Sequence, residues 1–138
     1  MVLVTPQNKR ILSACTVLLV DLHTSSALMD EGILLGIEEQ IKQALILAND
    51  CENENKIQHR NILGAAVEKF LVCRLFDRFF RCGTLLPPEA VEMTVAGCSD
   101  CPSDEEYLGA CVGLAHELLQ YSVTRAAEVG AAQSTVAH

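Results

Sequence analysis

The residues in this chain whose types and spacing best suit a chemical task are basic side chains that could bind phosphate. Six of the ten basic residues lie between positions 56 and 81, where only two acids oppose them, so this segment has a net charge of about +4. At 100° per residue Arg74, Arg78 and Arg81 fall on one side of a helix. The pattern predicts a phosphate-binding surface with Arg60 and Lys69 as second candidates, and a solvated helix face is the alternative.

Cysteine is the second residue type with possible chemistry. The chain has seven cysteines, and Cys15, Cys73 and Cys111 lie in apolar runs, where a free thiol behaves as a small hydrophobic group. Cys98 and Cys101 have CxxC spacing, but zinc needs four ligands and no second CxxC or HxxxH motif occurs. We therefore expect a reducing compartment, the cytoplasm or also the nucleus, and no resident metal or cofactor. A metal at Cys98 and Cys101 is the alternative.

The sequence contains no recognisable enzymatic motif. None of the four histidines has a catalytic companion, and neither a GxxxxGK[ST] phosphate loop nor a GxGxxG motif is present. Glu89 and Glu92 have the spacing with which one helix can hold Mg²⁺, but they stand alone, and a solvated pair is the expected interpretation. These motifs therefore give no support to a nucleotide-dependent enzyme.

Composition and charge limit both the fold and the partners. With 138 residues, of which 50% are hydrophobic and 20% charged, the chain can build one packed domain and is not disordered. Aromatic residues are 4% and Trp is absent, which favours helix-on-helix packing. The net charge of −8 repels phosphate at long range, so any nucleic-acid site must be local. The apolar run Ile11–Val20 is too short to cross a membrane and predicts a buried helix.

Apolar periodicity predicts an all-α fold of about five helices, packed as an antiparallel bundle in one domain over residues 1–138. The long helix has polar residues on two opposite edges, which predicts that different partners cover its two sides. The predicted segments are a helix in 1–25, a helix over 27–49, a loop at 50–57, a long helix from Gln58 to Cys82, a short helix from Pro87 to Val91, a last helix capped by Ser103 or Asp104 that runs to about Glu128, and a disordered tail at 131–138.

The last predicted helix has two different stripes. One contains Gly109 and Gly113 at a four-residue step. Each glycine costs about 1 kcal/mol relative to alanine in a helix, so close approach of another helix or chain is a reason to have them there. We predict that Gly109 and Gly113 lie at an oligomer interface, and glycines tolerated on a solvated face are the alternative. The other stripe is apolar and comprises Leu108, Cys111, Val112, Ala115, Leu118, Leu119 and Ala126.

Two segments of the C-terminal half resemble a known family. Residues 76–91 read FDRFFRCGTLLPPEAV and residues 106–125 read EYLGACVGLAHELLQYSVTR. These segments are similar to the translin family, which comprises translin and translin-associated factor X. The shared features are a Thr-Leu segment before a Glu-Ala-Val helix, an acidic-Tyr-Leu start, a Leu-Ala-x-Glu-Leu segment and a Ser-Val end. The resemblance covers residues 58–130. The family has about two more helices after the Ser-Val segment and one more before, which a fragment, an isoform or a divergent member would explain.

The resemblance implies part of the translin α-superhelical fold, large oligomers, and binding of single-stranded RNA or DNA. In that family the factor X subunit is a Mg²⁺-dependent endoribonuclease that uses Glu residues of the long helix and an Asp-x-x-x-Glu pair of the later one. When the chain is aligned by Phe76 and Glu117, three of these positions hold Lys69, Val72 and Gly113, and only Glu117 matches. The resemblance therefore implies the catalytically silent, translin-like side of the family.

These observations predict a non-catalytic subunit that binds single-stranded RNA or DNA through Arg74, Arg78 and Arg81. Its partners would be further copies of itself or a translin-associated factor X-like subunit, and no membrane. A helical scaffold that binds only protein is the alternative from another class, and a residual Mg²⁺-dependent endoribonuclease is the third. The helices that the chain lacks relative to the family predict an exposed apolar patch and self-association.

Overall fold

A computed structural model describes residues 4–25, 28–50, 53–93, 95 and 101–136. The described residues confirm the predicted all-α class, with four α-helices rather than about five. α3 is the central helix, because α1, α2 and α4 all pack against it. The elements are α1 (Val4–Ser25), α2 (Glu31–Asn49), α3 (Asn53–Cys82), a 3₁₀ turn (Pro88–Val91) and α4 (Asp104–Val136).

α1 and α2 each turn one apolar side toward the core. Their buried residues recur at three- and four-residue steps, the spacing of one helical face. α2 begins at Glu31 rather than at 27, because the Asp30 carboxylate accepts hydrogen bonds from the amides of Gly32 at 2.7 Å and Ile33 at 3.3 Å. The buried residues include Ile11, Cys15, Leu18 and Leu22 of α1 and Leu34, Ile37, Ile41 and Leu45 of α2.

α3 is longer than predicted at its start and ends as predicted. It begins at Asn53, so residues 53–57 of the predicted loop are helical. It ends at Cys82 before Gly83, whose φ of +69° is the left-handed conformation that glycine adopts readily. The Gly83 amide donates to the Phe79 carbonyl at 2.7 Å and closes the last turn.

The core lies around the middle of α3. Its largest fully buried side chains include Phe70 and Phe76, and buried residues of all four helices surround them. α1, α2 and α4 all pack against α3; α4 meets it at Glu68 and Val72, whereas α2 meets it at Arg74. Two polar residues of α3 are also buried, His59 and Asp77.

α4 packs on α3 through the stripe that contains its glycines. A Cβ atom at Gly109 would lie 2.6 Å from the Glu68 carboxyl carbon, and one at Gly113 would lie 2.7 Å from Cγ2 of Val72. Both glycines therefore permit close approach of α3 in the same chain. This corrects the prediction that Gly109 and Gly113 form an oligomer interface, because α3 already occupies that side of α4.

Both ends of α4 show why it is long. Ser103 and Glu106 form a reciprocal cap: the Glu106 amide donates to Ser103 Oγ at 3.1 Å, and the Ser103 amide donates to Glu106 Oε1 at 2.9 Å. The helix then continues to Val136, which corrects the predicted disordered tail at 131–136. Alanine and glutamine are good helix formers and no proline follows, so little stops the helix after Gly130.

The remaining short helix is a single turn. The sequence from Pro87 to Val91 forms one turn of 3₁₀ helix over Pro88–Val91, and Val91 is buried in the core. Tyr107 of α4 holds the chain before this turn by donating its hydroxyl to the Leu86 carbonyl at 2.6 Å. Among the described helices, none is long and apolar enough to cross a membrane.

Candidate nucleic-acid interface

The three arginines predicted to contact nucleic acid line one cleft. Arg74, Arg78 and Arg81 project from the C-terminal half of α3 into a cleft of about 520 Å³, which we call the arginine cleft. The start of α2 forms one wall and the 3₁₀ turn forms another. The other lining residues are Glu31, Glu38, Phe70, Leu71, Asp77, Leu86, Ala90 and Val91.

Arg74 is paired at the edge of the cleft. Its Nη1 donates to Glu31 Oε1 at 2.7 Å, and its guanidinium lies 5.6 Å from the centre of the Phe70 ring. The Glu31 side chain is 58% exposed, so water competes for this ion pair. An anionic ligand could therefore replace Glu31 on Arg74 at small cost.

Arg81 holds the chain between α1 and α2 against α3. Its Nε donates to Asp77 at 3.0 and 3.1 Å, and its Nη2 donates to the Met29 carbonyl at 2.7 Å. Asp77 is buried and also accepts a hydrogen bond from the Met29 amide at 3.2 Å. The main task of Arg81 is thus structural, because its removal would leave a buried carboxylate without its cation.

Arg78 is the cation of the cleft most available to a ligand. It lies one helical turn from both Arg74 and Arg81, its side chain is exposed, and in the described ranges it forms no ion pair. The three arginines face the three carboxylates Glu31, Glu38 and Asp77, so the cleft as a whole is close to neutral. It can attract phosphate only where a carboxylate moves aside or where Arg78 reaches out.

The two second candidates lie elsewhere. Arg60, near the start of α3, donates to both oxygens of Glu106 at 2.8 and 2.5 Å. Burial alone raises the pKa of the Glu106 carboxyl, but the hydrogen bonds from Arg60 and Ser103 outweigh burial and leave that pKa below its ordinary value. The structure therefore separates Arg60 from the arginine cleft and uses it to anchor the start of α4.

Lys69 lies near two thiols that join α1 to α3. The Cys73 thiol donates to the Cys15 carbonyl at 3.6 Å, and both cysteines are fully buried. The hydrogen bond with Cys15 and burial raise the pKa of the Cys73 thiol. Lys69 is within electrostatic range of both thiols and does not line the arginine cleft, so the five predicted contact residues fall in three places, of which only one is the arginine cleft.

A second cavity, of about 870 Å³, lies where α3 meets the start of α4. Its charged lining residues are Arg60 and four acids, so it would repel phosphate. The acids are Glu68, Asp104, Glu105 and Glu106. It is therefore a poorer candidate than the arginine cleft for an anionic ligand.

The residues that occupy the nuclease positions of the translin family do not form a metal site. Gly113 packs on Val72, and the Glu117 carboxylate contacts Nε2 of His23 on α1. Within the described part of the chain, no three His, Cys, Asp or Glu side chains come together as a metal site. Cys98 of the CxxC pair lies outside the described residues, and Cys101 is buried.

Sequence reasoning missed the partners of these residues. The contact between His23 and Glu117, and the hydrogen bond from Arg125 to the His23 carbonyl at 2.6 Å, join α1 to α4 across about a hundred positions of sequence, and no local pattern reveals them. Glu31 lies 43 positions from Arg74, which is also too far for a local pattern to reveal the pair. Only the i, i+4 pair of Asp77 and Arg81 had a local signal, since this spacing places two side chains side by side on a helix.

Comparison of the chain with protein-family models, with curated proteins and with solved structures finds no match. The resemblance to the translin family therefore remains a prediction from residues 76–91 and 106–125.

Proposed function

We propose that this protein is a non-catalytic, translin-like helical subunit that binds single-stranded RNA or DNA at the arginine cleft. The observation that carries the proposal is that Arg74, Arg78 and Arg81 converge on one cleft from one helix. Guanidinium groups suit phosphate because they present several donors in a fixed plane. The buried free thiols suit a reducing compartment, so we place this function in the cytoplasm or also in the nucleus.

Two arginines would make the phosphate contacts. Arg78 is exposed, and Arg74 can exchange the exposed Glu31 for a phosphate while it stays next to the Phe70 ring. Arg81 would keep its bond to Asp77 and contribute its charge without moving. With two contacts and a net charge of −8, the binding should be weak and strongly salt-dependent.

The test is a salt titration of binding to a fluorescent single-stranded RNA, measured by anisotropy. Each phosphate contact on a single strand contributes about 0.7 to the slope of log K against log salt. We expect Arg74→Ala/Arg78→Ala to reduce that slope by about 1.4. Arg10→Ala, which removes an exposed cation from α1, is the control and should leave the slope unchanged. Equal slopes for the wild type and the double variant would refute the arginine cleft as the binding site.

The second candidate function is a helical scaffold that binds only protein. Two observations favour it: carboxylates balance the charge of the arginine cleft, and α4 exposes Leu108 and Leu119 to 63% and 64%. In that case the wild type would not bind RNA at any salt concentration.

A residual Mg²⁺-dependent endoribonuclease is the third candidate. It has only Glu117 in its favour, and Mg²⁺-dependent RNA cleavage that Glu117→Gln abolishes would establish it.

A further inference from the structure

The side of α4 that faces away from α3 is apolar and exposed. Seven positions follow one another at alternating steps of four and three residues, and all seven are exposed. This is the spacing with which one helix presents a continuous seam to a second helix. We call these positions the α4 seam: Leu108, Val112, Ala115, Leu119, Ser122, Ala126 and Val129.

The α4 seam is separate from the contact that folds the chain. Ala110 and Leu114 of α4 are buried against the core, and at 100° per residue they point in nearly the opposite direction to Leu119. The seam is about 32 Å long at 1.5 Å per residue and roughly 10 Å wide, so its area is on the order of 300 Å². A patch of roughly this size is about the largest that a typical monomer exposes, and such patches are often functional.

The seam has no charged side chain at any of its seven positions. Its one hydroxyl, on Ser122, donates to the Leu118 carbonyl at 2.8 Å and can therefore be buried without losing its hydrogen bond. A nucleic acid would need cations here, and a charged peptide would need opposite charges. The chemistry of the seam fits another uncharged apolar helix.

A second copy of the same helix has that chemistry and the matching side-chain sizes. When two seams run antiparallel about a two-fold axis between Ala115 and Leu119, every inner layer places a large side chain against a small one. The layers are Leu108 with Ala126, Val112 with Ser122, and Leu119 with Ala115. At each end of the pair Val129 lies opposite Glu105, whose exposed side chain can stay in water. Such alternation lets two helices interdigitate without gaps. A parallel pair would instead stack Ala on Ala and Ser on Ser, and would leave gaps.

Charge also favours the antiparallel direction. The first turn of α4 is acidic, with Asp104, Glu105 and Glu106. A parallel pair would bring two such turns to the helix separation of about 8–10 Å. An antiparallel pair moves them about 36 Å apart, several times the Debye length of about 8 Å at physiological salt.

We propose that a second copy of this chain covers the α4 seam, with the two α4 helices paired antiparallel about a two-fold axis. The pair buries a strip of only a few hundred Å² per copy, well below the roughly 800 Å² per partner of a standard interface, so we expect a weak dimer that is populated only at high micromolar concentration. The inference extends the proposed function by naming the surface through which the subunit assembles. Its test measures mass and contains no nucleic acid, so either proposal can fail alone.

The test is sedimentation equilibrium of the full chain over a range of micromolar concentrations. We expect the wild-type mass to rise from 15.0 kDa toward twice that value as the concentration increases. Leu119→Glu should raise the dimer dissociation constant more than about tenfold, because each copy would bury a charge near the axis. Gln120→Glu is the matched control: it adds the same charge at the next position, exposed but outside the seam, and should leave the dimer intact.

Two further variants test the direction of the pair. Leu108→Lys and Ala126→Glu should each weaken the dimer, and the double variant should restore it, because the two new charges face each other only in the antiparallel pair. Val112→Glu repeats the Leu119→Glu test at a second exposed position, and circular dichroism checks that all variants stay helical. A monomeric wild type, which would leave the seam to a different protein, overturns the proposal. A dimer that survives Leu119→Glu and Val112→Glu, or a double variant weaker than both singles, overturns it as well.

Discussion

The two faces of α4 differ in a way that hydrophobicity alone does not predict. The face that packs on α3 contains Gly109, Gly113 and the polar residue Glu117, whereas the face that points outward contains Leu108 and Leu119. The inner face lets two helices come close, since its glycines have no Cβ to separate them. The outer face has larger apolar side chains and no partner within the described chain.

The difference shows that shape as well as hydrophobicity decides which side of α4 folds the chain, since that side also buries Ala110 and Leu114. Val72 and Glu68 of α3 fill the space that Cβ atoms would occupy at Gly113 and Gly109. Close contact between backbones increases dispersion attraction over the whole helix pair. The apolar outer face then remains for an interaction with another molecule.

The largest expected contrast is between two leucines of α4, one on each face. Leu114 is 5% exposed and Leu119 is 64% exposed. We expect Leu114→Ala to lower the free energy of unfolding by about 3 kcal/mol, because it leaves a cavity between α4 and α3. Leu119→Ala should change it by less than about 0.5 kcal/mol. Urea unfolding at a concentration where the chain is monomeric measures both, and similar losses for the two variants would contradict the assignment of the faces.

A second contrast compares glycines in two helices. At Gly113 a Cβ would lie 2.7 Å from Cγ2 of Val72, a stiff and buried β-branched side chain, so we expect Gly113→Ala to destabilise the chain by about 1–2 kcal/mol. A Cβ atom at Gly36 in α2 would meet no neighbouring atom of the described chain within 4 Å, so Gly36→Ala should stabilise the chain by up to about 1 kcal/mol. Gly109→Ala should cost less than Gly113→Ala, because the Glu68 side chain that it meets can rotate away. Thermal unfolding ranks the stabilities of the three variants. A Gly113→Ala variant more stable than the wild type would contradict close packing at that position.

A third contrast concerns pH and the start of α4. The pKa of Glu106 is lower in the folded chain than its ordinary value of 4.5, where Arg60 and Ser103 bind its carboxylate. The stability that the Glu106 carboxylate contributes is therefore complete above about pH 4.5. It is lost as the pH falls through the lower pKa of Glu106 in the folded chain. We expect Glu106→Gln to be less stable than the wild type at neutral pH, and the difference to disappear in acid.

The exposed neighbour Glu105 provides the control for that experiment. Glu105→Gln removes the same charge from the same turn but leaves the bond between Arg60 and Glu106 intact. Urea unfolding between neutral pH and pH 3 measures both variants. A stability difference for Glu106→Gln that does not change with pH would show that the paired carboxylate is not the cause.

The sequence predicted the helices better than their contacts. The long helix was found because apolar residues recur along it, and Ser103 was one of the two predicted caps of α4 because a capping residue is a local signal. The glycines of α4 were correctly predicted to permit a close approach, but the partner was wrong: the sequence pattern cannot tell whether that partner is a helix of the same chain or another copy, and it is α3 of the same chain. The pairing of Arg74 with Glu31 and of Arg60 with Glu106 was missed for a related reason: each joins two helices, and no local spacing encodes it.

The smallest expected effect on stability belongs to Arg78, the polar counterpart of Leu119, since both are exposed side chains without a partner in the described chain. Arg78→Ala should change the free energy of unfolding by less than about 0.5 kcal/mol. Arg81→Ala, three residues later, should cost about 1–2 kcal/mol, because it leaves the buried Asp77 carboxylate without its cation. If Arg78→Ala also lowers the slope of log K against log salt for RNA binding by about 0.7, Arg78 binds a phosphate and does not stabilise the fold. A loss of stability equal to that of Arg81→Ala would instead place Arg78 among the residues that hold the fold together.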